Sequence, residues 1–490
     1  MTDLDKEVSS FCAQSVIASL TKRHRKRKRR TKSCSSSQAA LPFGFFKGTT
    51  VFRNAVHNDE TIDDGHVRIS NLILPNCSRV LITTFIPPTN FSWLESIWNE
   101  SQQQEPSNLV VVQHGPYKVG EAKMDPIYID TRKKANWYTI SCQPHNGGIM
   151  HAKVYLFQSS EGLRVVISGN NFYQHQWEND RDCLWVQDFS RNEKHKNPYD
   201  CDTFPLEEFL YDLCQCRGGP DHQFMRQYIC SMFKKIDIST MKASLVYSFP
   251  RTKDNTADYG GWQQLQKAVQ GRLLIDYDTD REEDNCSQTQ TVFSMSGSIG
   301  DVEPNFLFGM QNAMLGQEAY FSKSITWESI NKIQCLMISN KTQQTMKDTA
   351  SNGRKMSRSH WSSNIPKEAK SRLFNEAIHN NKATKLPLYP FVHGKVLFTK
   401  YNAENGGATG NAILYVGSHN FSKAAWGVAN KMPNNIEVGV VLSSNDKHIQ
   451  TEWEDRLPYL LPKIVVMFGF RKNKNRRHRS VFRPSVRLKK

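Results

Sequence analysis

The chain has 490 residues, enough for two or three domains with their own cores, a hydrophobic fraction of 38% and a formal net charge of +17. No window approaches the roughly 18 uncharged apolar residues that a membrane helix needs, which argues against a membrane enzyme. The 11 cysteines are an odd number scattered through the chain, the pattern of reduced intracellular thiols, and Val16 to Leu20 lies between acidic and basic residues in the reverse order of a secretory signal. No secretion is expected.

The charge is concentrated at the ends. Lys22 to Lys32 holds nine Lys/Arg and Arg471 to Lys490 holds ten, with no acid in either, so removing these nineteen from +17 leaves the body at −2. Residues 1–40 read as a basic tail acting as a nuclear localisation signal or a polyanion grip, and residues 471–490 as a second basic tail. Both point toward nucleic acid.

Ordered sequence is expected from about Leu41. "RVLITTFIPPTNFSWLESIW" reads as a buried strand, a Pro-Pro turn and a helix starting near Thr89 or Asn90. "NLVVVQHG" is a continuous apolar strand of the kind covered on both faces. The stretch "GGIMHAKVYLFQSSEGLRVVISGNNF" then sets His151 and Lys153 on one side of a strand, because successive strand side chains alternate faces. A Gly-containing turn and a second apolar run ending at Asn170-Asn171 complete a hairpin with polar residues at its open end. "RDCLWVQDF" adds a strand, and "FPLEEFLYDLCQC" and "QFMRQYICSMFKKI" add amphipathic helices.

After "SLVYSFP", "YGGWQQLQKAVQ" reads as a helix that opens a second half. "QTVFSMSGSIG" offers hydroxyls and backbone to a phosphate, or is a plain surface turn. "KIQCLMIS" is a strand, residues 341 to 363 read as a mobile loop, and "PFVHGKVLFTKYNAENGGATGNAILYVGSHNF" repeats the first hairpin with His393, Lys395 and Asn420. A lone H-x-K carries little weight: His24-Arg25-Lys26 matches by accident inside the basic run. The repeat of strand, turn, strand and Asn carries the argument. The fold expected is α/β, two similar halves (41–246 and 247–470), each a mixed β-sheet flanked by helices, related by a pseudo-twofold with one active site between them.

Two imidazoles, two ammonium groups and two carboxamides, without a cluster of acids for Mg2+ or Ca2+, suit a phosphoryl group. Lysines and amides stabilise its oxygens, one imidazole attacks phosphorus, and the other protonates the leaving oxygen and then activates water. Cys142, His145 and His151 are weak as zinc ligands, since no matching second set lies nearby. Neither a metal nor a cofactor is expected.

With these motifs the sequence resembles the phospholipase D superfamily, and within it the tyrosyl-DNA phosphodiesterases that act on 3′ ends. Most of the superfamily has an aspartate seven residues after the histidine, where this chain has Gln158 and Lys400. The 3′ enzymes have His, Lys and a later Asn, as here. "EGLRVVIS", "NFSKAAWG" and the turn Ser298 to Gly300 also look like segments of that family. Asp182 stands where the family often has Gln, and "QPHNGG" lacks the aromatic residue expected before the first histidine.

The resemblance implies that His151 is the nucleophile and His393 the proton donor and acceptor. It implies that Lys153, Lys395, Asn171, Asn420 and Ser298 bind substrate and that Glu437 lies near His393. It further implies a monomeric nuclear DNA-repair enzyme that needs no membrane. Its partners would be DNA with a 3′ phosphotyrosyl or other 3′ adduct, single-stranded or nicked duplex, and a topoisomerase I peptide. Two alternatives are a related nuclease or phospholipid hydrolase, which a substrate panel separates, and a nonenzymatic nucleic-acid scaffold, which two intact sets of His, Lys and Asn oppose.

Overall fold

The structure, a computed structural model, describes residues between 40 and 456. Within that span it leaves out chiefly 56–61, 86–90, 101–107, 130–136, 193–204, 215–221, 251–260, 277–290, 319–324, 339–364, 378–392 and 402–410, with some shorter breaks. The two basic tails, His145 and the loop at 341 to 363 therefore lie outside the described residues.

Two mixed sheets carry the fold. The first runs in the order His66–Val67, Lys47–Asn54, Cys183–Ser190, Gly162–Ser168, Val154–Gln158, Arg79–Thr84, Asn108–His114, Trp137–Cys142, Ile127–Ile129. The second runs Ser244–Ser248, Glu437–Ser444, Ala412–Gly417, Lys395–Lys400, Val292–Met295, Ile333–Ile338, Phe374–Ala377. From Lys47–Asn54 to Trp137–Cys142, the first sheet reads as four antiparallel pairings followed by two parallel ones. The whole second sheet reads the same way, and its strands occur in the same chain order.

The repeat anticipated from two hairpins thus extends over seven strands. It also moves the seam. Ser244–Ser248, divided by the expected boundary at 246, is the counterpart of Lys47–Asn54 and belongs wholly to the second sheet.

Sequence explains the sheets. Both hairpins are predominantly apolar, with Val154–Gln158, Gly162–Ser168 and Ala412–Gly417 buried along their whole length and the polar side chains Arg164 and Gln158 among them hydrogen-bonded. Continuous burial is what a central strand with both faces covered requires. The parallel pairs need crossovers, and the helices Phe91–Glu100 and Pro304–Met314 supply one in each half. Side chains from both sheets, among them Leu156, Val165, Trp185, Val396, Leu414 and Val440, join in one core together with the helices Pro205–Cys214 and His222–Phe233. A second core packs Trp93, Leu94 and Trp98 against the first sheet, and a third packs Leu265, Phe306 and Met310 against the second. The C-terminal helix Lys447–Arg456 returns to the first sheet, where Trp453 Nε1 donates to the Thr49 carbonyl at 3.1 Å.

One buried polar knot fixes the first half. Arg164, fully buried, pairs with Asp188 through Nε (2.7 Å) and Nη2 (3.0 Å) and donates to the carbonyls of Leu41, Pro42, Asn71 and Leu72. The bidentate geometry satisfies both charges, and the carbonyls take the remaining donors. Arg164→Ala would leave Asp188 and four carbonyls without their partner, and it is expected to lower unfolding stability by about 3–5 kcal/mol. Urea denaturation of the full chain checks this, and a shift no larger than that of an exposed Arg→Ala would refute it.

Candidate active site

Each hairpin presents its histidine and lysine at the end of its first strand, and the open ends of the two hairpins meet. Backbone joins them directly. Met150 bridges Ile436 in parallel, the His151 N–H donates to the Ile436 carbonyl at 2.8 Å, and the Ile436 N–H donates to the Ile149 carbonyl at 2.9 Å. The second half therefore fixes the backbone that carries the first histidine.

His151 is 5% exposed, and its Nδ1 lies 2.8 Å from Glu437 Oε2 and 3.1 Å from the Ser418 carbonyl. Facing a carbonyl, which can only accept, Nδ1 carries the proton, and Nε2 of the neutral ring keeps its lone pair. Glu437 is held in turn by Ser418 Oγ at 2.6 Å and Asn435 Nδ2 at 3.2 Å. Glu437 thus corrects an expectation: it sits against His151 and not His393. The glutamate opens a strand whose neighbour ends at Gly417, so it emerges beside Ser418, the residue facing the opposite half.

His393 has different company. Lys395 Nζ lies 2.9 Å from its Nδ1, 3.3 Å from its Nε2 and 2.6 Å from its carbonyl, and donates to the Gly169 carbonyl at 3.1 Å. An ammonium only donates, so the ring nitrogen that meets it accepts, while a hydrogen bond from the ring to the Gly169 backbone favours the protonated form. The two rings thus have different partners, a carboxylate and a carbonyl for His151 and an ammonium and a carbonyl for His393.

Lys153 is fully buried, and its Nζ has no hydrogen-bond partner among the described residues. Burial and the Lys395 charge push its ammonium well below the ordinary lysine range, against the pull of Glu437 and Asp182. Burial likewise pulls Lys395 down to about 8. Both imidazoles are lowered well below the usual histidine range, first by burial and then by the two ammonium groups. Four basic groups in one dry seam suppress one another's protonation.

Asn171 is oriented by neighbours: Nδ2 donates to Gln176 Oε1 at 2.9 Å and Oδ1 accepts from the Phe85 N–H at 3.0 Å. Asn420, half-buried, follows Ser418 and His419. His419, a third imidazole in the second hairpin, stacks on Trp426 with ring centroids 4.1 Å apart. It bonds Tyr415 and Ser248, and burial brings it down to about 3, which makes it a neutral support. The turn at 296–300 lies against the site, since a Cβ on Gly297 would stand 3.2 Å from the His393 backbone. Ser298 is exposed there, while Ser296 is the hydroxyl that ties the turn to Phe421 at 3.1 Å.

The sequence reading missed Ser418, Asn435, Gln176 and the pair Phe85 and His114, whose rings meet at a tilt with Phe85 5.7 Å from His151. Ser418 was findable, because it aligns with Gly169 one step before the Asn-containing pair of each hairpin. The two positions without an aspartate have other work. Gln158 bonds Arg79 and the carbonyls of Ser231 and Met232, and Lys400 pairs with Glu454. Cys142 is buried with its thiol directed at the Leu213 carbonyl, and among the described residues no group of three His, Cys, Asp or Glu is placed to hold a metal.

An anion entering this seam offsets the field that keeps the bases uncharged, so their proton affinities must rise. Binding of sulfate, an anion that does not itself titrate near pH 7, is therefore expected to take up protons. Calorimetry in two buffers of different ionisation enthalpy reads this directly, and binding that releases protons would contradict the charge arrangement.

Comparison with known proteins gives a family from sequence and a similar fold from structure. The family model described as tyrosyl-DNA phosphodiesterase matches residues 89–488. The Arabidopsis thaliana protein named Tyrosyl-DNA phosphodiesterase 1 is 24% identical over 360 residues, 68% of this chain and 52% of the relative, so the match spans about half of that protein's length. The crystal structure of the yeast tyrosyl-DNA phosphodiesterase superposes with a TM-score of 0.55 at 14% identity, covering 81% of this chain and 91% of the yeast chain. A second structure of the yeast enzyme, a mutant, gives 0.53 at 13% identity, over 81% and 89% of the two chains, a likeness of fold alone. With the family model spanning more than half of its length, the chain belongs to the tyrosyl-DNA phosphodiesterase family.

Proposed function

We propose that the protein hydrolyses the bond between a tyrosine, such as that of topoisomerase I, or another adduct and a DNA 3′ phosphate through a covalent phosphohistidine. The observation that carries this is Lys153: a fully buried lysine with no hydrogen-bond partner for its Nζ among the described residues, close enough to both imidazoles for its charge to lower their proton affinity. A buried cation without a partner is costly, and a phosphodiester oxygen is the partner that the surrounding donors suit.

In the first step the Nε2 lone pair of His151 attacks phosphorus. The bond to the leaving oxygen breaks, and that oxygen takes a proton from the His393 imidazolium, a form that the phosphate charge favours and that is left neutral by the transfer. Glu437 and the Ser418 carbonyl hold the Nδ1 proton of His151 and stabilise the charge that develops on its ring. In the second step His393 takes a proton from water, the hydroxide attacks phosphorus, and the bond to His151 breaks to leave a DNA 3′ phosphate. Lys153 and Lys395, with Asn171 and Asn420, meet the charge on the nonbridging oxygens, and Ser298 contacts substrate from the rim. No cofactor enters either step. Action at a 3′ terminus makes the protein an exonuclease in the broad sense, working as a monomer on single-stranded or nicked DNA.

The two histidines are separable by experiment. A 5′-labelled oligonucleotide with a 3′ phosphotyrosine, incubated in excess EDTA, should be turned over by the natural chain. His151→Ala should give neither product nor adduct. His393→Ala should accumulate labelled protein on a denaturing gel, because a phenol of pKa about 10 leaves without full proton donation whereas water needs its base. Label on the opposite variant would exchange the roles, and turnover that required Mg2+ would defeat the metal-free mechanism.

The basic block at 22–32 supports a nuclear location. Deleting residues 1–40 should abolish nuclear accumulation of a fluorescent fusion and flatten the salt dependence of DNA binding while catalysis persists. Unchanged nuclear accumulation would remove that assignment.

A further inference from the structure

The carbonyl that meets the Nδ1 proton of His151 belongs to the peptide between Ser418 and His419. How that peptide is held therefore bears on the nucleophile. Its Ser418 end is tied by backbone and hydroxyl: the Ser418 N–H donates to the Val438 carbonyl at 2.8 Å, and Ser418 Oγ, which accepts from the Val438 N–H at 3.0 Å, donates to Glu437. Its other end is tied by a side chain that no step of the reaction uses, the buried His419 imidazole.

That ring is clamped on three sides. Ser248 Oγ gives its one proton to the Ala425 carbonyl at 2.7 Å, so it accepts from His419 Nε2–H at 3.1 Å. His419 Nδ1 then accepts from the Tyr415 hydroxyl, and the ring face stacks on Trp426. Space for the clamp is cut out of the sheet: Gly417 and Gly439 pair in register, and a Cβ on either would overlap the Tyr415 hydroxyl. The first half has the same device in another form. Ser168 and Gly417 each end the second strand of a hairpin, so Gly169 matches Ser418 and Asn170 matches His419. The Gly169 carbonyl meets Lys395 Nζ and the His393 ring, while Asn170, fully buried, donates from Nδ2 to the carbonyls of Gln176 at 3.2 Å and Asp180 at 3.5 Å. In each half a turn carbonyl crosses to the opposite imidazole, and the next side chain is anchored.

We propose that His419 is a positioning residue for the nucleophile: through its clamp on Tyr415, Ser248 and Trp426 it sets the Ser418–His419 peptide so that the carbonyl holds the Nδ1 proton of His151. This rests on the phosphoryl-transfer reading above. As His151 Nε2 bonds to phosphorus the ring gains positive charge, which the carbonyl dipole and Glu437 stabilise together. His419 spends both ring nitrogens on Tyr415 and Ser248, so its loss slows the attack and leaves the binding of substrate as it was. The other charged and titratable groups around His151 are Lys153 beside it, Lys395 from the second half and His114 from the strand Asn108–His114, which oppose its protonation, and Glu437, which favours it.

Variants of the full chain separate this role from packing. His419→Ala removes the clamp, Tyr415→Phe removes one of its bonds, and His419→Gln keeps a donor for Ser248. Met310→Ala hollows the core that contains Tyr415 and Trp426 and serves as the control. The chain with isotope-labelled imidazoles, saturated with sulfate, is titrated by NMR, and the His151 signal is assigned by its loss in His151→Gln. The His151 midpoint should fall by about one pH unit in His419→Ala, by less in Tyr415→Phe and His419→Gln, and stay in place in Met310→Ala. In the His393→Ala background, rapid quench with the phosphotyrosyl oligonucleotide should show adduct formation slowed about tenfold by His419→Ala at an unchanged half-saturating concentration. A His151 midpoint that holds in His419→Ala, or moves as far in Met310→Ala, would overturn the proposal. So would a raised half-saturating concentration with an unslowed step. If His419→Ala does not fold, the other two variants, which keep most of the volume, carry the test at smaller amplitude; failure of all three to fold would give His419 to the fold and overturn the proposal too. If the midpoint moves but the natural chain forms no product, His419 keeps its role and the proposed function fails.

Discussion

Two lysine ammonium groups buried in one seam, Lys153 and Lys395, are the constraint around which the rest is arranged. Neither belongs in a core on its own, since an isolated buried cation loses far more hydration than nearby dipoles return. What makes the arrangement tolerable is the pair of carboxylates on either side: Glu437 and Asp182 both pull the proton affinity of each lysine upward against the pull of burial. The balance remains incomplete, as the lowered lysines and imidazoles show, and that residual imbalance is what an anion relieves. The phosphate affinity we propose and the suppressed basicity of these groups are one property seen from two sides.

The seven-strand repeat would make the two histidines equivalent, but the structure does not. His151 is fixed by a carboxylate and a carbonyl from the other half, while His393 rests against its own lysine. The difference arises in one side chain. Glutamate at 437 reaches the opposite imidazole, whereas aspartate at 182, one methylene shorter, spends Oδ2 on Ser168, Gly169 and Asn170 and leaves Oδ1 without a hydrogen bond among the described residues. A near-symmetric scaffold thus produces two chemically distinct imidazoles, which a two-step displacement needs.

Much of this was legible in the sequence, because a strand constrains its pattern tightly. Period two placed His151 beside Lys153, and the repeat of the hairpin located His393, Lys395 and both asparagines without any tertiary information. Strands of ordinary composition were harder. Lys47–Asn54 mixes Lys, Gly, Thr and Arg, and Phe374–Ala377 is four residues long, so neither offers a clean alternation, although each forms part of its sheet. The position of Glu437 could not be read. It depends on the Met150–Ile436 bridge between segments 286 residues apart, and no local pattern encodes which half a strand-opening carboxylate will face.

Topology explains why these particular residue types collect at one place. In each half the chain leaves the site along the first hairpin strand, returns along the second, crosses a connection that contains a helix and leaves again along the third. It therefore visits the site end twice per half, first with His and Lys and then with the Ser-Gly-Asn-Asn or Gly-Ser-His-Asn turn followed by the carboxylate. A residue seven places after the histidine is carried about 23 Å away by a strand rising about 3.3 Å per residue, out of reach of the imidazole. Gln158 and Lys400 accordingly bind helices and not the site: Gln158 takes the carbonyls near the end of His222–Phe233, and Lys400 meets Glu454 of the C-terminal helix. Any carboxylate that touches the imidazoles of this fold has to enter on the second visit, and there the chain places Asp182 and Glu437.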